Sequence, residues 1–299
     1  VITVTEPRRI PLPELGRLYR KAVLDAVKSK LSTTGSLKAL PKQPVLADHP
    51  GITQEQAEAY RQLVHGEAFD GVHRTSLPSV LVHIAGFPVQ MALMSQRNFP
   101  LPLLGMVHLS NQVHHRKPVT AGQPLQILAR AENLTAHRRG TQVDIVVEVS
   151  AEGEVLYTST SVYLGRGTYL FEKPAAAPAP REEFLPPAKT ALWTLGADAG
   201  REYAAVSGDY NPIHLTGITA KALGQKRAIV HGMYSAARML EGREPETAGH
   251  RWSIEFSAPV TLPGKVAFAA EQIDEKTQRF SGWNPRKARP HFTGELTLP

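Results

Sequence analysis

Apolar residues recur at helical spacing near the start of the chain, where Leu12, Leu15, Tyr19, Ala22, Val23, Ala26 and Val27 fall along one face. The spacing predicts an amphipathic helix. Its other positions are basic (Arg17, Arg20-Lys21, Lys28, Lys30), and we expect it to pack on the body of the protein, a membrane surface being the alternative. Lys30 to Asp48 carries Gly and Pro and reads as a connector. A second helix is predicted from Thr53, a suitable N-cap, to Val64, and a third, strongly apolar one from Pro78 to Met94. The pattern then changes to alternation. Strands are predicted over 125–134, 140–150 and 155–164, with charged turns such as Glu152-Gly153 between them. Trp193, Trp252 and Trp283 sit on predicted strands and are expected in the core.

Much of this order occurs twice. Tyr60 to Gly66 falls nearly on Tyr203 to Gly208, Val82-His83 on Val230-His231, and Lys117-Pro118-Val119-Thr120 on Ala258-Pro259-Val260-Thr261. Strands over 266–273, 279–283 and 291–298 then answer those of the first copy. Between the copies, Glu172 to Arg181 and Pro186-Pro187 form a Pro/Ala-rich extended segment. The division that follows is 1–50 (basic helix and connector), 51–171 (first domain), 172–188 (linker) and 189–299 (second domain). The second begins with a strand at Leu192–Leu195 and a helix over 197–206.

Chemistry-bearing residues concentrate in the second copy. Ser207-Gly208-Asp209-Tyr210-Asn211-Pro212 is a run of turn formers, because Gly tolerates positive φ, Asp and Asn bond their own backbone, and Pro212 keeps Asn211 out of the α region. Asp209 and His214 are therefore carried on a loop. Taken alone, they serve equally well as an Asx-turn cap and a satisfied loop histidine. A short helix is predicted from Leu215 to Leu223, and Ala228 opens another that runs to Leu240. Gly232 lies near its first turn, where unpaired N–H groups favour negative charge.

Tyr203, then Ser207-Gly208-Asp209-x-Asn211-Pro212-Ile213-His214, then Ala220, resembles the signature of the MaoC-like, (R)-specific enoyl-CoA hydratases and 3-hydroxyacyl-thioester dehydratases. The resemblance implies an α+β double hot-dog fold, two curved antiparallel sheets each wrapped around a central helix. It implies that Asp209 and His214 hold and activate water, that the Gly232 N–H forms an oxyanion hole, and that Ser207, Gly208, Asn211 and Tyr203 shape the loop. Adding water to a 2,3-enoyl thioester needs a base, a proton for C2 and a donor for the enolate-like oxygen, and these groups can supply all three. What holds the Asp209 carboxylate from the helix side is not legible, Ser235 being a candidate.

The first copy lacks the chemistry: Glu67 takes the Asp position, Phe69-Asp70 replaces Asn-Pro, and His73 is displaced. There Phe87, Val89 and Met91 are candidates to line an acyl channel, with core packing as the alternative. His114-His115, with His83 and His108 upstream, fits no metal-ligand spacing, and adjacent residues on a strand face opposite sides, so no metal is expected.

Composition narrows the classes. The 299 residues hold no cysteine, which excludes disulfides and thiolate chemistry, and no long apolar run or signal-peptide pattern, so a cytoplasmic protein without a membrane span is expected. The net charge of +7 is scattered and comes with no nucleic-acid motif; it suits a solvated surface or an anionic ligand. His137-Arg138-Arg139 reads as a solvated hairpin tip or a contact for ligand phosphates. The expected function is reversible hydration of trans-2-enoyl thioesters in fatty-acid metabolism, with no cofactor beyond the coenzyme A or acyl carrier protein that carries the substrate. A thioesterase and a non-catalytic acyl-thioester binding subunit are the alternatives. The duplication already supplies a hot-dog pair, and a homodimer of such pairs stays open.

Overall fold

Among the described residues eleven strands form one sheet, and its order shows the duplication directly. The structure is a computed structural model and describes residues 6–29, 38–66, 76–174, 183–246 and 249–299. A two-residue β1 (Arg8–Arg9) runs parallel to β2 (Val45–His49) at one edge. With β3 (Met106–His115), β4 (Leu125–His137), β5 (Gly140–Ala151) and β6 (Glu154–Arg166), the first half runs β2-β4-β5-β6-β3. The second half comprises β7 (Ala191–Leu195), β8 (His250–Phe256), β9 (Gly264–Gln272), β10 (Thr277–Trp283) and β11 (Pro290–Thr297). It runs β7-β9-β10-β11-β8, the same order. β3 and β8 pair antiparallel, Asn111 opposite Ile254 and His115 opposite His250, and so join the halves into a double hot-dog.

The helices follow the same plan: α1 (Leu15–Ser29), α2 (Gln54–Leu63), α3 (Ser79–Met94), α4 (Ala199–Ser207), α5 (Pro212–Leu215), α6 (Gly217–Ala222) and α7 (Gly232–Leu240). Thr53 caps α2 in a reciprocal capping box with Gln56. α3 is apolar nearly all round, so burial on every side is its stable solution, and it packs on β2, β4 and β5. Gly86 allows the close approach to β5, since a Cβ there would lie 3.0 Å from Val147 Cγ1. The core includes Leu93, Ile127, Ile145, Met239 and Ile254, each such side chain stabilising by about 1.5–3 kcal/mol when removed from water. The three tryptophans are buried on strands, and α1 packs on α3. No described helix is long and apolar enough to cross a membrane.

Several expectations change in detail. Val45–His49, within the expected connector, is the strand β2. The expected helix from Leu215 to Leu223 is two helices, because Thr216 is extended (φ −143°, ψ 159°) and caps α6 through Thr219 N–H. Ala228 to Val230 are not helical: Val230 N–H donates to Val260 O (2.9 Å) and Leu262 N–H to Ala228 O (2.8 Å), so α7 starts only at Gly232. The first half has the same bond from Leu77 N–H to Val119 O (2.7 Å). Leu77 therefore answers Val230 and Ser79 answers Gly232, and the match of Val82-His83 to Val230-His231 was out of register. Glu67 and His73 lie outside the described residues.

Candidate active site

The loop after α4 is shaped by its own side chains. α4 ends at Gly208 in the left-handed conformation (φ 71°), which favours glycine, and a Cβ there would also lie 2.8 Å from Leu15 Cδ1. Ser207 Oγ donates to Tyr203 O (2.8 Å) and accepts from Asp209 N–H (3.1 Å), while Asp209 Oδ1 accepts from Asn211 N–H (3.2 Å). Asn211 caps α5, with Pro212 at the first helical position where its missing N–H costs nothing. Of the two residues expected on the loop, only Asp209 is there: Pro212 and the Asn211 cap start one turn of helix, and this turn carries His214, which is buried.

Its protonation follows from its partner. His214 Nδ1 lies 2.8 Å from the Ile229 carbonyl, which can only accept, so Nδ1 bears the proton and Nε2 is left as a base. Burial lowers the His214 pKa below its usual value, against the opposing pull of Asp209 and the Ile229 bond. Burial pushes the Asp209 carboxyl upward, but His231, His214 and the Tyr19 hydroxyl outweigh it and hold it below the usual carboxylate range. Both groups thus favour the states a base needs at neutral pH: carboxylate and neutral imidazole.

His231 was given no role from sequence, although it directly precedes Gly232. Its Nε2–H donates to the Asp209 carbonyl (2.9 Å), its ring stacks on His214 at 3.6 Å between centroids, and Nε2 is 3.7 Å from Asp209 Oδ2. Burial drops its pKa to about 3, so it holds the loop as a neutral donor. The Tyr203 ring packs against it as well (4.6 Å between centroids). The Asp209 carboxylate is held by Tyr19 of α1, whose O–H donates to Oδ1, while Ser235 is buried at the cavity wall. Tyr19 is far away in sequence, and only its place on the apolar face of α1 was legible.

Gly232 is the first residue of α7 and lines the same cavity as Asp209 and His214. The other half shows what this backbone position can do. There Ser79 N–H lies 3.2 Å from both Glu244 carboxylate oxygens, and Ser79 Oγ also donates to Glu244. In that half, the start of α3 holds a carboxylate.

The cavity has a volume of about 1020 Å³, at the upper end for small-molecule sites. Phe87, Met91, Met94, Leu103 and Met106 give it an apolar wall; Val89, by contrast, is fully buried in the core. His83 and His108, with pKa values lowered by burial to about 4 and about 3, also face it as neutral rings. Arg138, Arg139, Arg166 and Arg289 line it too, with Glu183, so the hairpin tip belongs to this site. Among the described residues, two groups could bring metal ligands within 4.8 Å of one another: Asp209, His214 and His231, and His115, Glu244 and His250. In the first, His214 Nδ1 and His231 Nε2 are committed to carbonyls. In the second, Glu244 accepts from Ser79 and lies 3.1 Å from His250 Nε2.

Residues 179–287 match the MaoC like domain. The 3-hydroxyacyl-thioester dehydratase X of Mycobacterium tuberculosis (strain ATCC 25618 / H37Rv) is 31% identical over 285 residues, 92% of this chain and 96% of the relative. A crystal structure of HtdX from M. tuberculosis superposes with a TM-score of 0.73 at 27% identity, covering 86% of this chain and all of that one. A MaoC-like dehydratase from Phytophthora capsici shares the fold, with a TM-score of 0.69 at 17% identity over 88% of this chain and 97% of that one. The sequence signature, the duplicated hot-dog sheet and the 31%-identical M. tuberculosis relative agree: the chain belongs to the MaoC-like 3-hydroxyacyl-thioester dehydratase family.

Proposed function

We propose that the chain interconverts (R)-3-hydroxyacyl thioesters and trans-2-enoyl thioesters by removing or adding water, in fatty-acid metabolism. The observation that carries this reading is the convergence of Asp209, His214 Nε2 and the start of α7 at Gly232 on one acyl-sized cavity. In the hydration direction, Asp209 and His214 accept the two hydrogens of a water molecule. As its oxygen bonds to C3, one proton passes to the pair and the thioester oxygen gains negative charge, which the Gly232 N–H stabilises. The pair then returns that proton to C2, so it ends as it began. Dehydration is the reverse. Family membership and the signature support the (R) outcome, and the four arginines suit the phosphates of coenzyme A or of a carrier protein's prosthetic arm.

The test is to incubate the protein with crotonyl-CoA and a longer trans-2-enoyl-CoA and resolve the product by chiral chromatography. The (R)-3-hydroxyacyl product is expected; the (S) product, or free thiol without hydration, would overturn the reading.

A further inference from the structure

Tyr19 lies outside the MaoC like match, on the amphipathic helix that precedes both repeats, yet it reaches the centre of the site. It is buried and lines the same cavity as Asp209 and His214. α1 is fixed there on two sides. Leu15, one turn earlier, sits over Gly208, and Lys21 Nζ donates to Ser95 O (2.8 Å) just past the end of α3. We propose that Tyr19 is a positioning residue for the dehydratase chemistry: its O–H, donated to Asp209 Oδ1, fixes the carboxylate so that Oδ2 is presented to the reacting water.

The reason lies in the donors available to Asp209. Among the described residues Oδ1 otherwise accepts only the Asn211 N–H from its own loop, and such an Asx turn orients the carboxylate through the loop backbone alone. A phenol is a suitable second donor. Burial beside Asp209 raises the Tyr19 pKa far above its ordinary value, so the proton stays on the phenol and the carboxylate stays charged. The other titratable groups that bear on Asp209 are His214 on α5, His231 before α7, Tyr203 on α4, His83 on α3, His108 on β3 and Tyr163 on β6. The three histidines outside α5 and the two other tyrosines are held neutral by burial. Tyr19 and Asn211 are thus the donors that give Oδ1 a fixed direction. α1 then completes the active site from outside the two sheets.

This inference rests on the proposed reaction, and the experiment separates the two. Full-length wild type and Tyr19→Phe are labelled with [4-¹³C]aspartate, and the Asp209 carboxyl, assigned with Asp209→Asn, is titrated by NMR, a readout that needs no turnover. Loss of one hydrogen bond to the charged form should raise the Asp209 pKa by about one to two units. In parallel, kcat for enoyl-CoA hydration should fall about tenfold or more with KM nearly unchanged, because Tyr19 acts on the catalytic group and not on the acyl chain. Tyr19→Trp, which keeps a ring in α1 but moves the donor, should not restore kcat. An unchanged Asp209 pKa, a kcat loss accompanied by an equal loss in a variant such as Leu15→Ala that only loosens α1, or a faster Tyr19→Phe enzyme would overturn the inference. A shifted Asp209 pKa in a protein that turns over no enoyl thioester would instead overturn the proposed reaction and leave the contact standing.

Discussion

Ser79 stands in the first half where Gly232 stands in the second, and its amide is already bound to the Glu244 carboxylate. The duplication thus made two helix starts of the same kind. One is closed by a protein carboxylate from the other half, and one faces the cavity.

Glu244→Gln should therefore destabilise the protein without impairing saturated turnover. Burial pushes the Glu244 pKa upward, but His250 and Ser79 outweigh it and hold it below 4.5. Its contribution is then fully present above the unfolded carboxyl pKa and is lost as pH falls through the folded value. Replacing the charge should cost about 2 kcal/mol at pH 7 and progressively less as pH falls from the unfolded carboxyl pKa through the folded value, as read by urea unfolding over a descending pH series.

Gly232→Ala tests the open helix start. A Cβ at Gly232 would lie 2.8–3.1 Å from the Phe256 ring, so either that ring or the start of α7 must move. A displacement of under 1 Å at an oxyanion donor should lower kcat/KM by up to about 10²-fold while unfolding stays cooperative. Steady-state kinetics on an enoyl-CoA checks this.

The pH profile reads the state of His214. Activity needs its neutral form, and its folded pKa lies below 6.5. The rate should thus decline, as pH is lowered, with a midpoint below 6.5. A midpoint above 6.5 would contradict the assignment of Nε2 as a base.

His231→Phe keeps an aromatic ring against His214 but leaves the Asp209 carbonyl without its donor. Stability should fall by about 1–3 kcal/mol, the cost of a buried unpaired acceptor, and kcat should fall with it. Denaturant titration together with kinetics resolves the two effects.

The sheet and the site were legible to different degrees. Alternating strands and the signature around Asp209 are local patterns, so β4 to β7, β9 to β11 and the Asp209 turn could be read directly, whereas the single helical turn that carries His214 is too short to leave a pattern. β2 is five residues inside a Gly/Pro-bearing stretch and carries too short a pattern to see. The register of the repeat was misread because Val-His recurs by chance, whereas the equivalence is set by backbone bonds from Leu77 and Val230. Tyr19 and Glu244 were invisible as partners because their contacts span 190 and 165 residues, and no local spacing encodes them.

The most direct measurement is the rate at which Asp209→Asn, compared with wild type, removes the absorbance of a trans-2-enoyl-CoA. Asparagine preserves the size of the side chain but not its charge or basicity. Wild-type turnover with a drop of roughly 10²- to 10⁴-fold in the folded variant is expected for loss of a positioned acid/base group. Turnover equal to wild type in Asp209→Asn would contradict the assignment of the chemistry to this loop.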